Sequence, residues 1–305
     1  MSEKKVKMLN TDSVQKFLLE EKAVRGVIVH LTESYHQIIS QHQYPPVIQR
    51  YLGEVLVASA LLMETIKLNG RMTIQFQSEG AVQLLVAQIN NEGHLRGLAQ
   101  WDSSATDEAL AGGFGKGELV ITIFQKGFER PMQGIVSLEN RTISEALTFY
   151  FLQSEQLPTT FSLAVSDKYA VGMLLQLMPQ EENKENETAW ESISQQVAKI
   201  NTSEIFYDNN ASFLAHYFPN DLIRLFDARE LQFQCGCSIE KMENAIRMLG
   251  EAEANFKSLA LILYSSFSIK KFKRFTLGKS LLLILTIFYF SMTPMMSSSR
   301  ITINS

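Results

Sequence analysis

The chain has 305 residues, of which 46% are apolar and 20% charged. It can therefore bury a large core in one or two domains, and global disorder is excluded. A net charge of −4 excludes a nucleic-acid binder with a broad basic face. The charge is uneven. Glu253 is the last acidic residue and seven of the 28 cations follow it, which leaves −11 on residues 1–253 and +7 on residues 254–305.

Cysteine content and apolar runs bear on the compartment. Two cysteines in a chain of this length do not form a disulfide framework, and no apolar signal segment precedes residue 27. The most apolar run, residues 281–290, is about half of the ~20 residues that a spanning helix needs. A second run, 256–269, is interrupted by a lysine and several serines. We therefore expect a cytoplasmic protein without a membrane span.

The first half of the chain begins with one strand and two helices. Residues 24–31 are β-branched and apolar, which predicts a buried strand, and residues 33–43 favour a helix that ends at Pro45-Pro46. Residues 47–68 carry apolar side chains at helical spacing up to Asn69-Gly70. This segment is the clearest helix in the sequence.

From residue 71 the hydrophobic period changes to two. The pattern predicts an antiparallel meander and two further pairs of strands around one helix, 142–155. The predicted strands are 73–77, 82–89, 95–101, 119–124, 133–138, 160–165 and 170–178. Clustered strands with segregated helices indicate an α+β fold with an antiparallel-sheet core. We assign this core domain to residues 1–179.

A region of different composition follows the core. Residues 181–187 contain no apolar residue, which is typical of a linker. Thr188 and Glu191 fit a capping box, and a second short helix, 212–218, ends before Pro219. The first helix carries a single apolar stripe of Trp190, Ile193, Val197 and Ile200. We interpret residues 180–232 as a small helical linker region.

Two features that could suggest an enzyme are weak. The glycine-rich loop 112–117 precedes a predicted strand, whereas phosphate-binding loops need a strand before them and a helix after them, so we read it as a turn. No nucleophile motif occurs, and the histidines are scattered without a metal-ligand pair on one helix. They are His30, His36, His42, His94 and His216. The chain is not expected to be an enzyme.

Both cysteines of the chain lie in one motif, Cys235-Gly236-Cys237-Ser238. A helix is predicted over 239–249 with Ser238 as its N-cap, and a helix N-terminus favours thiolates, the form that binds metal or reacts with oxidants. Two readings stay open: a metal or redox site, or an inert pair of small side chains. As a zinc site the motif is half complete, because structural zinc takes four ligands.

Together with these cysteines, several segments in order resemble the 33 kDa chaperonin family, the redox-regulated holdase chaperones also called 33 kDa heat-shock proteins. The resemblance runs from about residue 24 to residue 253. It rests on RGVIVHLTESYHQIISQH (25–42), PPVIQRYLGEVLVASALL (45–62), GKGELVITI (115–123), QGIVSLENRTISEALTFYFLQSEQLPT (133–159), GMLLQLMP (172–179) and FQCGCSIEKMENAIRMLG (233–250).

The resemblance implies an ATP-independent chaperone. Its α+β core would be followed by a metastable helical linker and a module in which C-x-C and a later C-x-x-C hold zinc. Oxidation would form disulfides, release the metal, unfold the linker and expose a surface that captures unfolding client proteins. Cys235 and Cys237 match two of the four zinc ligands and are the implied redox-active residues. A homodimer in the active state is left open.

The C-terminal end departs from this family pattern. No second cysteine pair follows residue 249, and the acid-free composition from about residue 254 indicates a frameshifted or otherwise replaced end. We therefore expect a partial zinc and redox module over 233–253, an aberrant basic and apolar tail over 254–305, doubtful zinc binding and an impaired switch. The alternative is a non-chaperone interaction protein that its tail tethers to a membrane.

Overall fold

The computed structural model describes residues 12–139, 141–178, 184–198 and 210–234, all within one compact unit. Among these residues, most strands lie before residue 178 and three short ones after residue 222. They are β1 (Ser13–Leu19), β2 (Val24–Leu31), β3 (Gly70–Ser78), β4 (Val82–Asn90), β5 (His94–Trp101), β6 (Gly117–Gln125), β7 (Met132–Ser137), β8 (Thr159–Val165), β9 (Ala170–Leu177), β10 (Ile223–Leu225), β11 (Arg229–Glu230) and β12 (Gln232–Phe233).

The α-helices of the described residues range from 5 to 20 residues in length. They are α1 (Glu33–Ile39), α2 (Pro46–Thr65), α3 (Asp107–Ala111), α4 (Ile143–Tyr150), α5 (Lys184–Ala198) and α6 (Asn210–Tyr217). A 3₁₀ turn, Glu20–Lys22, connects β1 to β2, and one π-helical turn, Phe151–Glu155, continues α4.

The strands form two six-stranded sheets. The first has the order β10-β1-β2-β9-β8, with β11 also paired to β1, and the second has the order β12-β5-β4-β3-β6-β7. All pairs are antiparallel except β12 with β5, which is parallel. The predicted α+β class with an antiparallel core is confirmed.

The main core lies around α2, which packs against strands of both sheets. Thirteen of its 20 residues are buried. A helix that is apolar on nearly all sides belongs in the interior, between two layers. Its glycine allows close approach: a Cβ at Gly53 would lie 2.9 Å from both methyl groups of Val165 on β8. The inner faces of both sheets therefore share one core with α2.

The start of α1 is fixed by a residue from outside the helix. The buried carboxylate of Asp12 accepts hydrogen bonds from the backbone N–H groups of Thr32, Glu33 and Ser34 at 2.5, 3.0 and 2.6 Å. These N–H groups have no partner within a helix, and a negative charge at this end is favourable. Asp12 thus joins β1 to the start of α1.

The predicted strands and long helices of the core are confirmed, with boundaries that differ by a few residues. Seven elements were not predicted: β1, the 3₁₀ turn, α3, the π-helical turn, and the three short strands after residue 222. The predicted helix 33–43 ends earlier, at Ile39, and the predicted helix 142–155 changes to a π-helical turn at Phe151.

Two details of the predicted linker region are wrong. Residues 184–187, interpreted as linker, form the first turn of α5, since lysine and glutamate are good helix formers. Thr188 lies inside α5, four residues after the first residue of the helix, so the predicted start of the helix at this residue is wrong. The predicted boundaries at residues 179 and 232 stay predictions.

Candidate functional site

The first sheet has two apolar faces. Alternate residues of β1, β2 and β9 point to the main core, and those between them point to the opposite, outer face. The outer face carries a compact set of buried apolar side chains: Phe17, Leu19, Val24, Ile28, Met173 and Leu175. A sheet that is apolar on both sides needs a covering layer on each.

The cover of this outer face comes from residues after 184. Helix α5 contributes Ile193 and Val197, which are buried, and Trp190, which is half-buried. Helix α6 and the residue after it contribute four buried side chains: Phe213, Leu214, Tyr217 and Phe218. In addition, β10 pairs with the edge of β1. We call α5, α6 and β10 the cover.

Phe17 lies at the centre of the covered face. Its ring is 1% exposed, and its centroid is 6.3 Å from that of Phe218 in the cover. The ring lies flat over Gly26 of β2, where a Cβ would come within 2.1 Å of the Phe17 Cζ atom. Glycine at position 26 is required by this close approach, because any side chain there would push Phe17 into the cover.

Polar contacts also join the cover to the first sheet. Asn210 donates a hydrogen bond to the Gln15 side chain at 2.9 Å, and Lys22 pairs with the buried side chain of Asp221 at 2.8 Å. Arg224, which is 62% exposed, pairs with Glu20, and an exposed ion pair typically contributes less than about 1 kcal/mol. The backbone of β10 adds hydrogen bonds to the edge strand β1. Apolar contacts, a short strand pairing and a few side-chain pairs therefore hold the cover together.

The cover itself is imperfectly packed. A pocket of about 260 Å³ lies between α6 and β10. Beside it, Leu222 and Phe226 are 58% and 47% exposed. The pocket is lined mainly by apolar residues, including Leu214, Phe218, Pro219, Ile223 and Leu225. The pocket is open to solvent, so the side chains that line it lack packing partners on that side.

The residues predicted as a site are distributed differently. Cys235 and Cys237 lie outside the described residues, and the described chain stops one residue short of Cys235. In the described ranges no group of three metal-ligating side chains occurs. The glycine-rich loop follows α3 and leads into β6, as expected for a turn, and its Gly113 and Gly115 have positive φ.

The histidines of the described residues make local contacts. The His30 ring stacks on Tyr169 at 5.8 Å, and burial lowers the pKa of His30 while Asp12 acts in the opposite direction. The His94 ring lies 3.2 Å from the carboxylate of Glu92. Their separate positions on β2 and β5 agree with structural roles.

The family is decided by a match over most of the chain. A family model described as Hsp33 protein matches residues 12–257. The chain belongs to the Hsp33 family. The match begins at the residue that caps α1 and ends four residues after Glu253, where the composition changes.

Individual Hsp33 relatives agree with this assignment. A 33 kDa chaperonin from Nitrosococcus oceani is 39% identical over 246 residues, 81% of this chain and 84% of the relative. One from Shewanella sediminis is 40% identical over 80% of this chain and 85% of the relative. The crystal structure of a 33 kDa chaperonin from Thermotoga maritima has a TM-score of 0.68 at 24% identity, covering 79% of this chain and 86% of that one, and supports the fold.

Membership in the Hsp33 family supports a chaperone function, and the relatives carry names of chaperonins and not of enzymes. One described helix, α2, is long and apolar enough to cross a membrane, but 72% of its most apolar window is buried within the protein, as in a core helix. The membrane-tethered alternative gains no support from these findings.

Sequence reasoning missed β1, one of the three strands that form the covered face. In β1, Gln15 and Lys16 interrupt an otherwise apolar run, and the strand lies directly after the start of the described chain. The signal that could have found it is the period-two spacing of Phe17 and Leu19, continued by the turn before β2. The covering residues Ile193 and Val197 were found, as an apolar stripe.

Proposed function

We propose that this protein is an ATP-independent holdase, which binds unfolding proteins and prevents their aggregation under heat or oxidative stress. The observation that best supports this function is the apolar outer face of the first sheet, closed by two helices and a three-residue strand. A large contiguous apolar surface on a chaperone is a binding surface for other chains once exposed. Client proteins would bind this face when the cover leaves it.

Helix α5 has few apolar anchors. Among the side chains of α5 that the structure describes, Ile193 and Val197 are buried and Trp190 is half-buried. Short helices in proteins are stabilised mostly by the packing of an apolar face, so the 15-residue α5 depends on these contacts with the sheet. Weakening them would favour release of the cover.

The regulatory part of the proposal rests on Cys235 and Cys237. Two thiols two residues apart can be oxidised, and in the family this event unfolds the linker. A structural zinc needs four nitrogen or sulfur ligands, and these thiolates supply two. The residues present therefore do not complete a zinc site in a monomer. We infer that the switch is impaired and that the cover opens without an oxidant.

The partners follow from this function. They are unfolded or partly folded proteins, which the face would recognise through apolar side chains and not through one sequence. We further propose a cytoplasmic location, where a reducing environment keeps both thiols free, and a homodimer in the active state.

A client-aggregation assay tests the function. The full chain is mixed under reducing conditions with a protein that aggregates on heating, and light scattering is followed. We expect suppression without peroxide. The variant Val197→Asp, which places a charge under the cover, should suppress at several-fold lower concentration. Ser192→Asp places the same charge on an exposed position of α5 and should match the wild type. Suppression only after peroxide would contradict the impaired switch, and none in any form would contradict the function.

Zinc content tests the cofactor proposal separately. The apparent free energy of a complete structural zinc site is roughly 10–16 kcal/mol and depends on all four ligands. We expect well under one zinc per chain after gel filtration at low protein concentration, where two chains cannot share their cysteines. About one zinc per monomer, lost in Cys235→Ser, would show that other ligands complete the site.

A further inference from the structure

Residues 229–234 join the edges of the two sheets. Within these six residues, β11 pairs antiparallel with the start of β1, and β12 pairs parallel with the start of β5. Leu231, between the two short strands, is 5% exposed and belongs to the main core, not to the cluster under the cover. We call residues 229–234 the strap.

The backbone of the strap is bound on both sides. The Leu231 N–H donates to the Asp12 carbonyl oxygen at 2.9 Å. On the other side, the N–H groups of Gln232 and Gln234 donate to the carbonyl oxygens of Gly93 and Leu95, each at 3.0 Å. If the strap left the two sheet edges, these backbone hydrogen bonds would all have to be replaced by bonds to water.

A partly buried ion-pair network, centred on Glu64, fixes the first residue of the strap. The Arg229 guanidinium pairs with the Glu64 carboxylate at the end of α2 and donates to the Asn91 carbonyl oxygen at 3.1 Å. Glu64, whose side chain is 13% exposed, also binds Lys16 of β1 at 2.9 Å. Burial alone would raise the pKa of Glu64, but hydrogen bonds and charge from Lys16 and Arg229 outweigh it and hold that pKa below its ordinary value.

The strap and the cover thus depend on different contacts. The cover packs on the outer face of the first sheet, whereas the strap places Leu231 in the main core. Both also pair with β1, but β10 pairs at residues 17–19 and β11 at residues 13–14. Segments that pack on different layers open with different free energies.

We propose that the strap is a separate docking element, which binds the seam between β1 and β5 without help from the cover. When the cover leaves the first sheet, the strap stays in place and holds the chain at residue 234 against the body. The role of the cover rests on the proposed function; the independent docking of the strap does not.

Cutting the chain between the two elements tests the docking. A site for a sequence-specific protease is inserted between Asp227 and Ala228 in the full chain, which is cut under native conditions and passed over a gel-filtration column. We expect the fragment that begins at Ala228 to elute with the body. In Arg229→Ala, the amount of fragment that elutes with the body should fall about tenfold. Arg224→Ala, which removes an exposed arginine–glutamate pair from the cover, is the matched control and should retain the fragment.

Two results would overturn the proposal. One is separation of the fragment from the body without any substitution. The other is equal retention in Arg229→Ala, which would mean that residues outside the strap hold the fragment.

Hydrogen exchange of the uncut chain separates this proposal from the function of the cover. At urea concentrations that leave the sheets folded, amides of 210–217 should exchange at least about tenfold faster than those of Leu231 and Gln232. If Leu231 and Gln232 exchange together with 210–217 at urea concentrations well below the unfolding of the sheets, the strap opens with the cover and the strap proposal is overturned. If 210–217 exchanges only when the sheets unfold while the cut fragment stays bound, the proposed opening of the cover is contradicted and the strap proposal stands.

Discussion

Helices α2 and α5 both pack against the first sheet, yet they are held very differently. Helix α2 buries 13 of its 20 residues between two sheets. Among the side chains of α5 that the structure describes, two are buried and Trp190 is half-buried, all on one side. Whether a helix stays packed or opens locally therefore depends on how many of its apolar side chains are buried and on how many layers pack against it.

The largest effect is expected in α2. Leu61 is fully buried, so Leu61→Ala should lower the free energy of unfolding by about 2–5 kcal/mol through lost contacts and a cavity. Urea denaturation followed by circular dichroism measures it. Lys67→Ala, at an exposed position just after the helix, should change stability by less than about 0.5 kcal/mol. Equal losses in both variants would show that α2 is not the central helix.

A second effect in α2 depends on pH. Burial raises the pKa of Glu54 to about 7 from an ordinary 4.5, while Arg50 acts in the opposite direction. The folded state therefore binds a proton that the unfolded state has lost, and stability falls as pH rises from about 4.5 to about 7. Glu54→Gln removes this penalty.

We expect Glu54→Gln to raise the free energy of unfolding by about 1–3 kcal/mol at pH 8 and to change it little at pH 4.5. Chemical denaturation at the two pH values measures the difference. Glu33→Gln, at an exposed position of α1, is the control for the change from glutamate to glutamine. The same effect at both pH values would mean that Glu54 does not titrate in this range.

A smaller effect on global stability is expected in α5. Ile193→Ala truncates one of the two side chains of α5 that the structure describes as buried. It should lower the free energy of unfolding measured in urea by less than about 1 kcal/mol, because the cover opens before the sheets unfold. The amides of α5 should exchange several-fold faster. Ser192→Ala, at an exposed neighbour, serves as the reference. A loss as large as that of Leu61→Ala would place α5 in the same cooperative unit as α2.

The smallest effect is expected for the tail. Removal of residues 254–305 should change the melting temperature by less than about 2 °C, because the described residues up to 234 already build a large apolar core. Differential scanning calorimetry of the truncated and full chains compares them. A melting temperature many degrees lower after truncation would mean that the tail stabilises the body.

The elements that sequence predicted well are those whose signal is local. The 3.6-residue spacing of 47–68 and the alternation in 73–77 depend only on neighbouring residues, and both became elements close to the predicted bounds. The family resemblance likewise predicted an α+β chaperone fold from contiguous segments. Cys235 and Cys237, the predicted site, lie outside the described residues and stay a prediction.

The elements that sequence missed depend on partners far away. The pairs Gln232 with His94 and Ser13 with Glu230 join residues 138 or more positions apart, and strands of two residues carry no period. The start of α1 at residue 33 was predicted correctly, but its capping group, the distant Asp12 carboxylate, was not. Non-local polar contacts of this kind leave no pattern in a single sequence.

The covering segment is fixed at both ends, because the Met178 N–H bonds the Ala23 carbonyl oxygen and the strap begins at Arg229. A released cover is therefore a tethered loop of roughly 50 residues, whose closure entropy grows only slowly with length. Its return is an intramolecular reaction with a fixed effective concentration. Client binding is bimolecular. The balance between the open and the closed cover would thus depend on the concentration of unfolded chains. Clients would stay bound while they are abundant, and the cover would close again when they become scarce.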